Sequence, residues 1–161
     1  MIRAVEIQDI PAICQIYNHY IRNTVVTFEE VEVSVADIQG RIQAVIQSHC
    51  WLVYVQQEQV LGYAYAKPWH SRSAYRFSVE SSVYVDPEFV GRGIGRQLYQ
   101  VLLGQLRQFQ VRTVIGIIAL PNPASIGLHE KFGFEQAAHF KSVGYKFNQW
   151  IDVGYWQLLF G

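Results

Sequence analysis

Apolar positions along the chain follow two periods, and the change from one to the other marks its most informative stretch. From Phe77 to Val85 they alternate: Phe77, Val79, Ser81, Val83 and Val85 share one face, while Glu80, Ser82 and Tyr84 share the other. That is the pattern of a half-buried strand. Asp86-Pro87 ends it. From Ile94 the spacing becomes helical, with Leu98, Val101, Leu102, Leu106 and Phe109 forming a stripe that can pack on a sheet. Gly91, Gly93 and Gly95 therefore fall at a predicted helix N-terminus.

The same two periods assign the remaining elements. Ile2 to Val5 reads as a strand, followed by a helix capped by Asp9, with Pro11 in its tolerated first turn. Ser34 and Asp37 form a capping pair for a second helix, whose buried face is Ile38, Ile42, Val45 and Ile46. Trp51 to Val55 and Val60 to Ala66 form a hairpin, and Val111 to Leu120 reads as a strand covered on both faces. Asn122 caps a helix opened by Pro123 and closed at Gly133, and two strands from His139 to Phe160 turn near Asn148-Gln149. The order β-α-α-β-β-β-α-β-α-β-β implies an α/β (α+β) protein with a mixed, mostly antiparallel sheet flanked by helices.

Composition narrows the function classes. A chain of 161 residues accommodates one domain with a full core, spanning 1–161. Half the residues are hydrophobic, yet no apolar run approaches the roughly 20 residues of a membrane helix. The N-terminal segment lacks the pattern of a secretory signal, so a cytoplasmic protein is expected. Thirteen basic residues balance thirteen acidic ones, and no Lys/Arg run interleaves with aromatics, which points to a small-molecule partner and away from nucleic acid or membrane. Cys14 and Cys50 are read as buried, unpaired thiols, and no cluster has metal-ligand spacing.

The glycine run is the first candidate site. Gly91-Arg92-Gly93-Ile94-Gly95 lets the backbone curl and present successive N–H groups at the positive end of a helix dipole, with Arg92 and Arg96 nearby. Such a loop suits a pyrophosphate, although the same glycines serve an ordinary tight turn. It is no dinucleotide fingerprint, because the third glycine and the downstream acidic residue are missing, and the nucleoside-triphosphatase pattern is absent too. Thr27, Phe28 and Glu29 lie in the connector between the first two helices, which forms either a cleft wall or a solvated link. Asn122, Ser125 and His129 recur at helical spacing as a polar stripe, a pattern usually solvated.

The strand and glycine loop resemble the V-Y-V strand and R/Q-x-x-G-x-G loop of the GNAT superfamily of N-acetyltransferases, with Val90 where that family usually has Arg or Gln. The later run N-x-x-S-x-x-L-H-E-K-x-G-F matches a second motif of the same family. Over almost the whole chain the resemblance is to its phosphinothricin and methionine sulfoximine N-acetyltransferase branch, carried by IYNHYIRNTVVTFE, AYAKPWHSRSAYRFSVESSVYV and VGYKFNQWIDVGYWQL. Lys67 stands where that branch has glycine.

The resemblance implies a GNAT-like domain that uses acetyl-coenzyme A and no metal, and a homodimer with aromatic residues near Trp150 or Trp156 at or near the interface. Val83, Tyr84, Val85, Val90, Gly91, Arg92, Gly93, Ile94, Gly95, Arg96, Asn122 and Ser125 would contact the coenzyme. Glu80 would take the amine proton, or else bond a neighbouring strand. His129 would protonate the departing thiolate, or else bond the coenzyme. Phe28 and Glu29 would line the acceptor site. Arg72 and Arg76 are candidates to grip acidic groups of the acceptor, or are surface arginines. The acceptor implied is a small glutamate-like amino acid; other amines, or a coenzyme-binding sensor without turnover, are the alternatives.

Overall fold

Local signals place most of the element boundaries. The computed structural model describes residues 1–161, and the elements appear in the expected order: β1 (Ile2–Ala4), α1 (Ile10–Asn23), α2 (Val35–Ile46), β2 (Trp51–Gln56), β3 (Gln59–Pro68), β4 (Ser78–Val85), α3 (Ile94–Leu106), β5 (Thr113–Ala119), α4 (Pro123–Lys131), β6 (Glu135–Lys146) and β7 (Gln149–Leu159). At α2 the capping pair forms in both directions: Asp37 N donates to Ser34 Oγ, and Ser34 N donates to Asp37 Oδ2.

Two expectations at helix ends need correction. Asp9 stands at the N-cap of α1, but its side chain makes no cap bond there. Its carboxylate instead accepts from Glu6 N and from both guanidinium nitrogens of Arg3. Burial alone would raise the Asp9 pKa; these bonds reverse that and hold it below the usual carboxylate range. Phe109 belongs to a short turn beyond α3 and is half exposed, so the apolar stripe ends at Leu106.

The seven strands form one sheet in the order β1-β2-β3-β4-β5-β7-β6. Only β4 and β5 are parallel, joined through α3. α1 and α2 pack on one face, with Ile13, Ile21, Val53 and Tyr63 at the centre of that cluster. α3 packs on the other, burying Leu98, Leu102 and Leu106 against Val79, Val114 and Trp156, and α4 adds Ile126 and Leu128 at its margin. Trp156 is thus buried in the core, whereas Trp150 is 68% exposed.

One irregularity opens the sheet between β4 and β5. The β4–β5 ladder runs only from Ser78↔Thr113 to Ser81↔Gly116, although β4 continues to Val85 and β5 to Ala119. Past Ser81 and Gly116 the two strands part, and the facing backbone edges have no ladder partner. No helix is long and apolar enough to cross a membrane, and no three His, Cys, Asp or Glu residues group as metal ligands would. Cys14 is buried and Cys50 half-buried, both unpaired; burial pushes the Cys50 thiol up to about 11.

Candidate active site

A cavity of about 910 Å³ lies between the α1–α2 connector and the sheet and reaches the place where β4 and β5 separate. Ser82 and Tyr84 of β4 line one side of the break, with Ile117 and Ala119 of β5 on the other, and Glu80 lines the cavity just before it, still opposite Ile115 in the ladder. These are the even positions of β4, the polar face of the alternation, while Val79 and Ser81 turn into the opposite core. The inner wall is aromatic. Trp51 stacks on Tyr65 with ring centroids 3.9 Å apart, and Tyr84 meets Tyr17 edge-on at 5.4 Å.

The connector brings Thr27, Phe28 and Glu29 into the cavity wall. It is held from two sides. Arg41 of α2 grips Glu29 with two bonds, Nη1 to Oε2 at 2.8 Å and Nη2 to Oε1 at 2.6 Å, and the Tyr17 hydroxyl also donates to Glu29. The bonds from Arg41 hold the Glu29 carboxyl below its ordinary range, and burial together with Glu29 raises the Tyr17 phenol. On the other side Lys146, only 2% exposed, donates to Thr27 O at 2.8 Å. The ring of Phe28 lies so close to Gly144 that an added Cβ would come within 2.3 Å of it.

Glu80 faces the cavity with a partly exposed side chain. Across the β3–β4 ladder its partner is Lys67, whose Nζ lies 3.9 Å from Glu80 Oε2, beyond hydrogen-bond length. Arg72 and Arg76 do not line the cavity. Arg76 Nη1 donates to Ser73 O within its own loop, and its guanidinium stacks on Phe77. The cavity as it stands is therefore lined without either arginine. The PWHSRSAYR loop leads into the Glu80 strand, but it folds back on itself.

Further along β4, the glycine turn closes the far end of the gap. Gly91 and Gly93 have φ of +84° and +78°, a region that side-chain-bearing residues rarely adopt, and nothing lies within 4 Å of where their Cβ atoms would be. Gly93 occupies the N-cap of α3 with no side chain capping the helix. Gly95 in the first turn lies against Val83, Val85 and Leu128, which places the helix start over the parted strands. Ile94 is buried; Val90, Arg92 and Arg96 are exposed, and Arg92 stacks on Phe89. Tyr20 Oη donates to Val85 O at 2.5 Å.

α4 flanks the gap on the other side. Asn122 Oδ1 accepts from Ser125 N at 3.1 Å as the helix cap. His129 does not lie on a solvated stripe: it is 4% exposed. Nδ1 donates to Ser125 O at 2.7 Å, so Nε2 accepts from Tyr99 Oη at 2.8 Å, and Tyr99 Oη accepts from Ser81 Oγ at 2.7 Å. Burial lowers its pKa, which favours this neutral form. Both nitrogens of His129 thus have partners within the protein. It is a buried link between α4, α3 and β4.

Sequence reasoning missed Arg41, Tyr17, Trp51, Tyr65 and Lys67 as cavity residues. Only Lys67 carried a signal, as a departure from the family's glycine.

The acetyltransferase (GNAT) domain profile matches residues 2–154. A relative, the phosphinothricin N-acetyltransferase of Alcaligenes faecalis, is 40% identical over 154 residues, covering 94% of this chain and 78% of its own. Two solved structures superpose with a TM-score of 0.97 and 34% identity. One is a GNAT superfamily phosphinothricin acetyltransferase from Sinorhizobium meliloti in complex with AcCoA, covering 100% of this chain and 88% of that one. The other is a ribosomal-protein-alanine N-acetyltransferase from Brucella melitensis, covering 99% of each. The family profile over residues 2–154 and the 40% identity over 94% of the chain agree: the chain belongs to the GNAT family of N-acetyltransferases.

Proposed function

We propose that this enzyme transfers an acetyl group from acetyl-coenzyme A to the α-amine of a small amino acid bearing a second, tetrahedral polar end, as phosphinothricin and methionine sulfoximine do. The observation that carries the reading is that one break in the sheet has the Glu80 carboxylate just before it on the cavity side and the glycine turn at its far end. Acetyl-coenzyme A supplies the acetyl thioester. The residues present fit it: the backbone N–H groups from Gly91 to Gly95 with Arg92 and Arg96 beside them suit its phosphates. Val83, Tyr84 and Val85 offer a strand edge without a ladder partner to an amide-bearing arm, and Asn122 and Ser125 of α4 border the same gap.

This chain's contribution to the reaction is a proton acceptor and a shaped cavity. A Glu80 carboxylate oxygen takes a proton from the acceptor's ammonium, directly or through water, and leaves the amine nucleophilic. Phe28 and Glu29 shape the acceptor's surroundings. The relative named for ribosomal-protein alanine favours a second reading, a peptide N-terminus. The charged groups inside the cavity favour a zwitterion over a peptide, whose first carboxyl is an uncharged amide. The reading includes a homodimer, supported by Tyr145, Phe147 and Trp150, which are exposed on the β6–β7 hairpin.

The test measures kcat/KM for phosphinothricin, methionine sulfoximine, spermidine, an aminoglycoside and an alanyl peptide, with wild type and Glu80→Gln. The two amino acids are expected to lead. Glu80→Gln should keep the coenzyme affinity while kcat falls at least about a hundredfold near neutral pH, with the gap narrowing as the amine deprotonates unaided. A peptide or polyamine in first place refutes the acceptor; near-normal turnover of the variant refutes the base.

A further inference from the structure

Four charged side chains line the cavity: Glu29, Arg41, Glu80 and Lys67. Two of them satisfy each other. Both arms of the Arg41 fork lie on the two oxygens of Glu29, and the Tyr17 hydroxyl takes a further position on that carboxylate. Using Arg41 for a ligand would strand Glu29, and that is costly for a bidentate pair. Lys146 is nearby but buried, with its ammonium on Thr27 O, and it does not line the cavity. Arg72 and Arg76 do not line it either.

Lys67 is different. It is directly opposite Glu80 in the β3–β4 register, with its side chain half exposed and its Nζ 3.9 Å from Glu80 Oε2. A solvated pair at that separation holds its members weakly, so both charges can be exchanged for better partners at little cost. An ammonium and a carboxylate hanging from one carbon present adjacent opposite charges, and an adjacent carboxylate and ammonium on neighbouring strands are their complement. The acceptor's amine displaces Lys67 from Glu80, and the acceptor's carboxylate engages the freed Nζ.

We propose that Lys67 is a specificity-determining residue that holds the α-carboxylate of the acceptor whose amine Glu80 takes. This rests on the amino-acid acceptor and the role of Glu80 given above. It assigns to a β3 side chain the acid-binding task that the sequence suggested for Arg72 and Arg76.

The experiment measures KM and kcat of wild type, Lys67→Met and Lys67→Arg with methionine sulfoximine and with its α-carboxamide, which keeps the amine and the tetrahedral end and removes only the acid. Spermidine and an alanyl peptide are run alongside, and acetyl-coenzyme A affinity serves as the control for folding. Wild type should prefer the free acid to the carboxamide by roughly tenfold or more, the scale of a hydrogen bond to a charged group. Lys67→Met should raise the KM of the free acid by that factor and leave the carboxamide KM within about twofold, abolishing the preference. Lys67→Arg should restore most of it.

If wild type favours the amino acid over spermidine and the peptide, yet Lys67→Met shifts acid and carboxamide equally or neither, the Lys67 assignment alone falls. If wild type favours spermidine or the peptide, the acceptor reading fails and the Lys67 proposal falls with it.

Discussion

Gly116 is the residue on which the seating of α4 depends, and Gly116→Ala tests that directly. A methyl group there would lie 2.4 Å from His129 Nε2 and 2.6 Å from its Cδ2. The imidazole cannot swing aside cheaply, because Nδ1 is bonded to Ser125 O and Nε2 to Tyr99 Oη. Either the helix lifts from β5 or the Tyr99–His129 bond breaks in a buried setting. Overpacking costs about 1–3 kcal/mol, and an orphaned buried hydroxyl costs a similar amount. Either route predicts a loss of roughly 1–3 kcal/mol. For a chain of this length that is a fall in Tm of roughly 2–12 °C.

The assay is urea and thermal unfolding of Gly116→Ala, of His129→Ala and of the double variant. In the His129→Ala background the methyl group has room, so the added cost of Gly116→Ala should drop below about 1 kcal/mol, giving a strong coupling between the two sites. Gly104→Ala is the control: nothing lies within 4 Å of that position on α3, and the change should be neutral or stabilising by up to about 1 kcal/mol. A Gly116→Ala variant within about 0.5 kcal/mol of wild type would refute the reasoning.

Two further outcomes follow from the buried groups. Lys146→Met keeps most of the bulk but removes the bond to Thr27 O, so the connector carrying Phe28 and Glu29 should loosen: acceptor KM rises severalfold while acetyl-coenzyme A affinity, measured by calorimetry, stays level; an unchanged acceptor KM would show that Lys146 does not position that wall. His129 has a folded pKa below its unfolded value of about 6.5, so the unfolded chain binds a proton that the folded one refuses, and the stability from its neutral form is lost as pH falls below that value. His129→Gln should be less stable at pH 7.5 but should lose up to about 1.4 kcal/mol less on going to pH 5.5, read from urea midpoints; parallel pH profiles for the two proteins would contradict a neutral buried His129.

The order of elements was open to sequence reasoning because each signal is local. Alternation from Val79 to Val85, the Ser34/Asp37 capping pair and Asn122-Pro123 depend on residues within a turn or two of one another. The glycine turn was legible for the same reason, since a backbone with φ near +80° at Gly91 and Gly93 demands glycine whatever surrounds it. Glu80 was placed on the polar face by counting alone. Periodicity could not say which cation it would meet, because Lys67 reaches it through the β3–β4 register, and register is a property of two strands.

The same limit explains the arginines. Composition made the 68–76 loop look like an anion site, but a loop's side chains go where its path takes them, and Arg76 bonds its own turn. Arg41 lacked any local signal; it matters only because the connector brings Glu29 back over α2. His129 shows the division most plainly. Its spacing from Asn122 and Ser125 is the same whether that stripe faces water or protein. What buries it is the missing side chain of Gly116 on another element, together with Tyr99 on a third, and only the assembled sheet and helices bring those three together.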